Sequence, residues 1–567
     1  MAYYRKKLES KFLDKKERYI PSNGWNEEFN AVFEFITNGK GNGSINAVAG
    51  GGKTTAIVES IIRYTEVNKG KKVLFVAFNA SIKEEGASRL AGYPVDVMTC
   101  HGLGYSALRQ PGALGRLNTV QFDIQGSNGE YMQLLASNEL GSEKEKYDDR
   151  EALLDLVSKC KTCLVDTEIG AEELMDRFNI TSSYNKKEFA ERAIKVLNFT
   201  KTHCGTTVVS GKNGKNYKKV VITFDDQVWL PLVKDLSIQQ YDAVFIDEAQ
   251  DLSAARRALI KKALKKSGRV FLCGDQKQAC YSFAGADIDS LPTMINEFNC
   301  KEFKLSYTWR CPVSVVNEAS NFNPNIIPAP KAKEGSINSI EAKELINNIE
   351  CGNVLLSRTN APLIRAFFQL ARRKVPVKFI GRDYGSMLAH RIKGWQTKHE
   401  NAVAAGHAYG SFTGTTVLEK NDEWLEYVKN SRSTDDKKGS VSDRIKDEHA
   451  TIIVLTEDLE AKLDTADAVK EIIKRCYSFS PEEAKDDKNT DKFVTLSSVH
   501  RFKGLERDKV FILIDTFDVG GNNQEESNLM YIAITRSKDS LVYVKGKLPT
   551  HTKLEKIAAG EDDEDES

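Results

Sequence analysis

The run Ala49-Gly50-Gly51-Gly52-Lys53-Thr54-Thr55 stands between a short apolar stretch at 45–48 and a helix-forming pattern at 56–64. Three successive glycines disfavour any regular element, so this part of the chain is restricted to a tight strand-to-helix turn. In such a turn the backbone N–H groups point inward and the following helix offers its positive dipole end, which together make a cradle for a polyphosphate. Within it Lys53 reaches the β- and γ-phosphates and Thr54 holds Mg²⁺, while Ala49, Gly50, Gly51, Gly52 and Thr55 complete the nucleotide contact. The usual pattern G-x-x-x-x-G-K-S/T has glycine where Ala47 stands, so the loop is a variant. Taken alone, a glycine-lysine-threonine turn is also compatible with an ordinary loop.

At 567 residues the chain exceeds what one hydrophobic core supports, so several domains are expected. Its 41% hydrophobic and 28% charged residues suit a globular protein in water, and no apolar run reaches the ~18 residues of a membrane span. Residues 1–18 are charged rather than signal-like, so the expected location is cytoplasmic, with no membrane partner. A net charge of +1 means that any polyanion must be met by a local groove rather than by a basic protein as a whole. The ten cysteines are scattered irregularly, as reduced buried thiols would be. Cys160 and Cys163 form a CxxC pair, and His203-Cys204 follows downstream, a set of soft ligands for zinc or an iron–sulfur cluster. The second pair lacks ligand spacing, and Leu153, Leu154, Leu156, Val157 and Cys160 make an adequate apolar helix face, which favours packing.

Two clusters of β-rich runs alternate with helical patterns, the signature of two α/β domains. The first contains 44–48, 73–78, 243–247 and 270–275, nearly continuous apolar runs of the kind found in parallel strands covered on both faces. The second contains 354–358, 375–380, 493–497, 510–514 and 541–544. Two polar inserts of mostly helical pattern interrupt them, with a turn-rich stretch at 205–217 and a charged, mobile one at 431–446. The expected division is a first domain at 1–105 and 235–325 with insertion 106–234, a second at 326–385 and 491–550 with insertion 386–490, and a disordered acidic tail at 551–567.

The strand at 241–246 ends in Asp247-Glu248-Ala249-Gln250-Asp251, placing two carboxylates at a strand's carboxyl end, beside the cradle in any such fold. Asp247 then holds Mg²⁺ and Glu248 orients or deprotonates the attacking water. An acidic pair at a strand end is often only a helix cap, and its combination with the glycine loop is what favours chemistry. A further strand ends in Gly274-Asp275-Gln276-Lys277-Gln278, where Gln278 is placed to sense the γ-phosphate.

With these motifs the chain resembles superfamily 1A helicases of the UvrD/Rep/PcrA type over nearly its whole length. AGGGKTT and DEAQD are followed in the family's order by GDQKQACYSFAGAD (274–287), LSYTWRCP (305–312), LLSRTNA (355–361), VTLSSVHRFKGLE (494–506) and NLMYIAITRSK (528–538). LFVAFNASI (74–82) and TCHGLGY (99–105) are most similar to a compact branch that includes the F-box helicase and phage-encoded relatives, and the expected setting is the cytoplasm of a bacterial or phage-infected cell rather than a nucleus. The resemblance implies two RecA-like parallel-sheet motor domains, 1A and 2A, with inserts 1B and 2B, and ATP with Mg²⁺ held between the lobes. It implies that Trp309 stacks on adenine where the family usually has tyrosine, that Glu506 meets the ribose, and that Arg310 and Arg536 lie on the γ-phosphate. Such paired guanidiniums would neutralise the transferring phosphoryl group, although either arginine, read alone, is also compatible with a surface ion pair.

The resemblance further implies single-stranded DNA and single/double-strand junctions as partners, 3′-to-5′ movement, and work in replication, recombination or repair with proteins of those pathways, by a monomer. Phe78, Tyr281 and Phe283 match base-stacking positions, Thr99, His101 and His500 match backbone-contacting ones, and Lys503 follows in a linker-like turn. Without the resemblance, aromatics at strand ends read as core. Departures are Ala284 and Ala80, where the family has arginine and lysine, and 25–30, which lacks the adenine-reading glutamine. With a short second insert and few residues after the last motif, no fused nuclease is expected. Rival readings are a translocase that clears bound proteins with little unwinding, and a nucleotide-switched DNA-binding protein, against which the full set of hydrolytic groups argues.

Overall fold

The computed structural model describes residues 18–550 except 23, 111, 112, 114–120, 143–146, 204, 211–215, 283, 284, 382, 383, 431–442, 480–490 and 519–522. Phe283, Ala284, Cys204, most of the 431–446 stretch and the acidic tail therefore lie outside the described residues. The chain forms two compact units, Met1–Tyr307 and Thr308–Ser567.

The first unit opens with β1 (Asn42–Ala47), β2 (Val73–Ala77) and β3 (Val95–Thr99), passes through an insert containing β4 (Gln121–Gln125), β5 (Gly205–Ser210) and β6 (Asn216–Thr223), and returns with β7 (Tyr241–Ile246), β8 (Leu264–Gly274) and β9 (Cys300–Leu305). Its main sheet has the order β3-β2-β7-β8-β1-β9, parallel throughout. Val73, Phe75 and Ala77 pack into one apolar layer with Phe29, Ile57, Ile61 and Phe245, while Leu74 and Val76 pack into the other with Leu103, Leu259, Val244 and Leu272. Side chains alternate across the sheet and helices cover both faces, so every position along β2 is apolar and buried.

The first insert is not only helical. Its turn-rich stretch contains β5, which pairs antiparallel with β6, and β4 lies parallel to β6 on the other side. The helices Glu130–Leu140, Tyr147–Cys163, Glu168–Phe178, Lys186–Thr202 and Phe224–Val233 surround a core of the insert's own that includes Leu153, Leu156, Cys160, Phe189, Leu197 and Trp229.

Two short strands, β10 (Tyr307–Thr308) and β11 (Ile327–Pro328), precede the second sheet, formed by β12 (Ser336–Glu341), β13 (Val354–Ser357), β14 (Val377–Ile380), β15 (Val494–Ser498), β16 (Arg507–Leu513) and β17 (Ser537–Lys545). Its order is β12-β17-β16-β13-β15-β14, again parallel throughout. Both units thus have the parallel α/β architecture of RecA-like domains. The second insert shares the sheet's core, since Leu388, Ile392, Val417, Ile452, Ile472 and Phe479 pack in one cluster with Leu355, Leu363, Phe379 and Leu496. Asp447 fastens it further by accepting hydrogen bonds from the backbone N–H groups of Asn360 and Ala361, at 2.9 Å each.

The compact units divide after Tyr307, whereas the sequence reading placed the boundary near 325. Residues 308–325 belong with the second sheet because Val315, Val316 and Ala319 are buried, Asn323 Nδ2 donates to the Tyr531 hydroxyl at 3.1 Å, and the Tyr543 hydroxyl donates to Glu318 at 2.8 Å.

Candidate active site and nucleic-acid interface

In the first unit, adjacent strands β7, β8 and β1 end at one edge of the sheet, and their carboxyl ends carry the acidic pair, Asp275 and the glycine loop. Chain order skips β7 and β8 between β1 and β2, which opens the crevice where ligands of such sheets bind. Gly51 donates to the Val48 carbonyl at 2.9 Å, and a β-carbon on Gly51 would stand 2.9 Å from that oxygen. Gly52 caps the helix Lys53–Val67 with φ of 82° and offers no side chain to the first-turn N–H groups. Ala47 lies inside β1, fully buried and opposite Leu305, so the missing first glycine falls on strand rather than on turn.

Lys53 Nζ lies 3.6 Å from Glu248 Oε1. Asp247 is buried and accepts from the Glu248 N–H at 3.0 Å; burial first, then the Glu248 charge, pushes its carboxyl up, against the pull of Lys53. Glu248 takes the left-handed conformation, φ 51° and ψ 46°, an uncommon and strained backbone for a side chain of this kind. Gln278 is buried and donates to Asp275 at 2.6 Å, and burial also raises the Asp275 carboxyl.

Sequence reasoning missed Gln250. Fully buried, it donates through Nε2 to Glu248 Oε2 and, at 3.3 Å, to Asp251, while its Oε1 accepts from the Asp275 N–H at 3.1 Å. A β-carbon on Gly274 would come within 2.5 Å of that oxygen, so glycine at the end of β8 is what lets Gln250 join the acidic pair to the Gln278 strand. The signal available was only an amide inside an otherwise acidic run.

These residues fit Mg-ATP. The uncapped helix start presents donors to phosphate, Lys53 supplies a fixed cation, and a desolvated carboxylate at Asp247 gains by meeting a metal ion. Residues 25–30 form the start of the helix Glu27–Asn38, with Asn26 capping Phe29 N–H at 2.9 Å, Glu28 accepting from Ser306 N–H at 2.8 Å and Trp25 packed 5.2 Å from Phe29.

In the second unit, Arg310 Nε donates to Glu506 at 2.6 Å and its Nη1 to the Thr535 carbonyl at 3.2 Å. Arg536 is buried, with Nε on the Ile532 carbonyl at 2.9 Å and Nη1 on Leu505 at 3.4 Å. Trp309 is 57% exposed, available to an incoming ring rather than built into the core. Glu506 and Arg536 immediately precede β16 and β17, so they stand at the amino ends of those strands. His500 and Lys503 follow β15 and leave from its carboxyl end, and residues 499–506 therefore carry the chain from one edge of the sheet to the other. Burial, with help from Arg358, Lys503 and Arg501, lowers the His500 imidazole to about 3.

Back in the first unit, Phe78 follows β2 and stacks on Tyr281, with centroids 5.8 Å apart and planes at 22°. Thr99 ends β3 and caps the next helix by accepting from the Gly102 N–H at 3.1 Å. His101, on the first turn of that helix, is lowered to about 4 by burial and by Arg256. It meets Phe224 edge-on at 6.1 Å, and Phe224 is 54% exposed, a second residue that sequence reasoning passed over. Of the metal-ligand candidates, Cys160 is buried with its thiol pushed up to about 12, and no cluster of three or more metal-ligating side chains occurs among the described residues. No described helix is long and apolar enough to cross a membrane.

A sequence profile described as the UvrD/REP helicase N-terminal domain matches residues 26–299, and one described as the UvrD-like helicase C-terminal domain matches residues 173–546. The chain belongs to the UvrD/Rep helicase family. It is 24% identical over 541 residues to F-box DNA helicase protein 1 of Schizosaccharomyces pombe, covering 88% of this chain and 55% of that protein. It is 25% identical over 538 residues to F-box DNA helicase 1 of Gallus gallus, covering 88% and 47%. Against Gabija protein GajB of Bacillus cereus the identity is 24% over 416 residues, covering 67% and 79%. The chain spans about half the length of the two F-box helicases it matches.

Proposed function

We propose that this UvrD/Rep-family chain is an ATP-dependent DNA helicase that moves 3′ to 5′ on single-stranded DNA and unwinds duplex at single/double-strand junctions. The observation that carries the chemistry is Lys53 at 3.6 Å from Glu248, beside buried Asp247 and the glycine cradle. Bound Mg-ATP supplies the phosphoanhydride whose hydrolysis drives the cycle, with Thr54 and Asp247 as the residues that would hold the metal. Lys53 and the uncapped helix N–H groups bind phosphate, Glu248 takes a proton from the attacking water, and Gln278 responds to the γ-phosphate. Arg310 and Arg536 of the second unit add positive charge to the transferring group, which requires Arg310 to leave its pairing with Glu506. Trp309 stacks on the base and Glu506, once released, meets the ribose.

The Phe78–Tyr281 stack, together with Phe224, Thr99 and His101, forms the first unit's single-strand track, and Phe283, outside the described residues, is assigned to it by the motif alone. His500 and Lys503 form the second unit's share. Residues 499–506 supply the coupling, since one short segment runs from the strand-binding edge to the arginine cluster. The protein acts in the cytoplasm as a monomer, in replication, recombination or repair. A second reading, a translocase that displaces bound proteins with little unwinding, is favoured by the second insert, which shares the sheet's core rather than standing as a separate wedge. Measuring ATP hydrolysis with and without single-stranded DNA, then strand separation on partial duplexes of both polarities, tests the proposal. Hydrolysis indifferent to DNA would remove it, and stimulated hydrolysis with protein displacement but no strand separation would select the second reading.

A further inference from the structure

Stacked rings hold base faces, yet each nucleotide also brings a phosphate that needs a cation. Arg256 and Arg257 sit together in the first turn of the helix Ala254–Ala263, with Ser253 as its cap. That is the unfavourable end for positive charge, because the helix dipole already presents positive potential there. Arg257 offsets the cost: its guanidinium lies 3.4 Å from Asp287 and donates to the Leu252 carbonyl at 3.1 Å. Arg256 does not. Among the described residues no carboxylate lies within ion-pair distance of it, and its guanidinium stands 5.7 Å from the centre of the Phe78 ring, the ring that stacks on Tyr281. Its charge is also felt by His101, whose imidazole it helps keep neutral, and by the carboxyl of Asp225.

We infer that Arg256 is a nucleic-acid-binding residue that neutralises one backbone phosphate of the strand whose bases meet Phe78 and Tyr281. This inference rests on the single-strand reading above. The guanidinium lies over an aromatic face and is partly exposed; among the described residues it makes no ion pair, Asp225 feeling its charge only from beyond ion-pair distance, and an incoming phosphate supplies a direct partner. Because a phosphate is common to every nucleotide, the contact strengthens binding without regard to sequence.

The test is the salt dependence of binding by the full chain to labelled oligo(dT), oligo(dA) and a mixed-sequence single strand. For Arg256→Gln the slope of log affinity against log salt becomes shallower by ~0.7, the share of one phosphate on a single strand, and affinity falls by the same factor on all three strands. Arg256→Lys, which keeps the charge but loses the planar stacking, retains the wild-type slope. A wild-type slope in Arg256→Gln, or a loss that depends on base composition, would show that the arginine only props the Phe78 ring and would overturn the inference. A fall in slope in both variants would point to disturbed rings and overturn it equally, with thermal melting reporting whether the helix is intact. Wild-type protein that binds none of the three strands at any salt would sink the single-strand reading itself.

Discussion

Replacing Gln250 with alanine removes three hydrogen bonds in the driest part of the active site. Two run to carboxylates, Glu248 and Asp251, and the third accepts from the Asp275 N–H. The stability cost follows from what is left behind: a buried backbone N–H without its partner costs about 1–3 kcal/mol. The catalytic cost is separate. Glu248 sits on a strained left-handed backbone at the end of a strand, and the Gln250 amide restrains one of its oxygens while Lys53 lies near the other. Losing that restraint lets the carboxylate swing by ~1 Å, a displacement worth about 10²-fold in rate. The expected outcome in a DNA-stimulated ATPase assay is therefore a fall in kcat of ~10²-fold. Affinity for a fluorescent nucleotide should stay close to wild type, because Gln250 touches Glu248, Asp251 and Asp275 rather than the glycine loop. Gln250→Glu, which brings a fourth carboxylate beside those three, should be worse in both stability and rate. A folded Gln250→Ala protein that turns over at the wild-type rate would refute the reasoning, since Glu248 would then need no partner to stay in place.

Lys53→Ala or Glu248→Gln should reduce ATP turnover by at least ~10²-fold while single-strand binding persists, as filter binding would report; unchanged stimulated turnover in either variant would contradict the assignment. Phe78→Ala should weaken single-strand binding by about 1–3 kcal/mol and lower DNA-stimulated ATPase more than basal ATPase, and equal losses in both would place the ring in the core instead. The two half-buried histidines give an acid limb to stability. His101 and His500 are lowered to about 4 and about 3, so below the ordinary 6.5 the unfolded chain takes up protons that the folded one refuses. The stability they contribute is complete above pH 6.5 and is lost as pH falls toward 4 and 3. Melting temperature followed across that window should decline less steeply in His101→Asn and His500→Asn, and parallel curves would show that the imidazoles are already solvated.

Central strands and edge strands differed in how far they could be read. β1, β2, β7 and β8 were legible in the first sheet, and β13, β15, β16 and β17 in the second, because each carries a short stretch rich in apolar or β-branched residues, continuous in β2 and shorter in β1, β8, β15 and β17. β3, β9 and β12 were not legible, and all three are edges; the fourth edge, β14, was read because its run at 375–380 still carries β-branched and aromatic residues. In β12, Ser-Ile-Asn-Ser-Ile-Glu, four of six residues are exposed, so the apolar signal that marks a strand is nearly absent. The β5–β6 pairing was masked for a related reason: a polar, turn-rich stretch becomes a hairpin once its partner strand is in place.

The sequence alone determined the cradle, the acidic pair and the order of the motifs, since each is a contiguous run whose chemistry follows from residue type and spacing. Tertiary structure decided which distant groups share a charge or a hydrogen bond. It joined Gln250 to Asp275, paired Arg310 with Glu506, moved residues 308–325 to the second unit, and left Arg256 beside Phe78 while its neighbour Arg257 took Asp287. The physical reason is common to all four. A local pattern sets backbone form and apolar periodicity, but the partner of a buried polar group is chosen by whichever strand or helix end the packed sheet brings within about 3 Å.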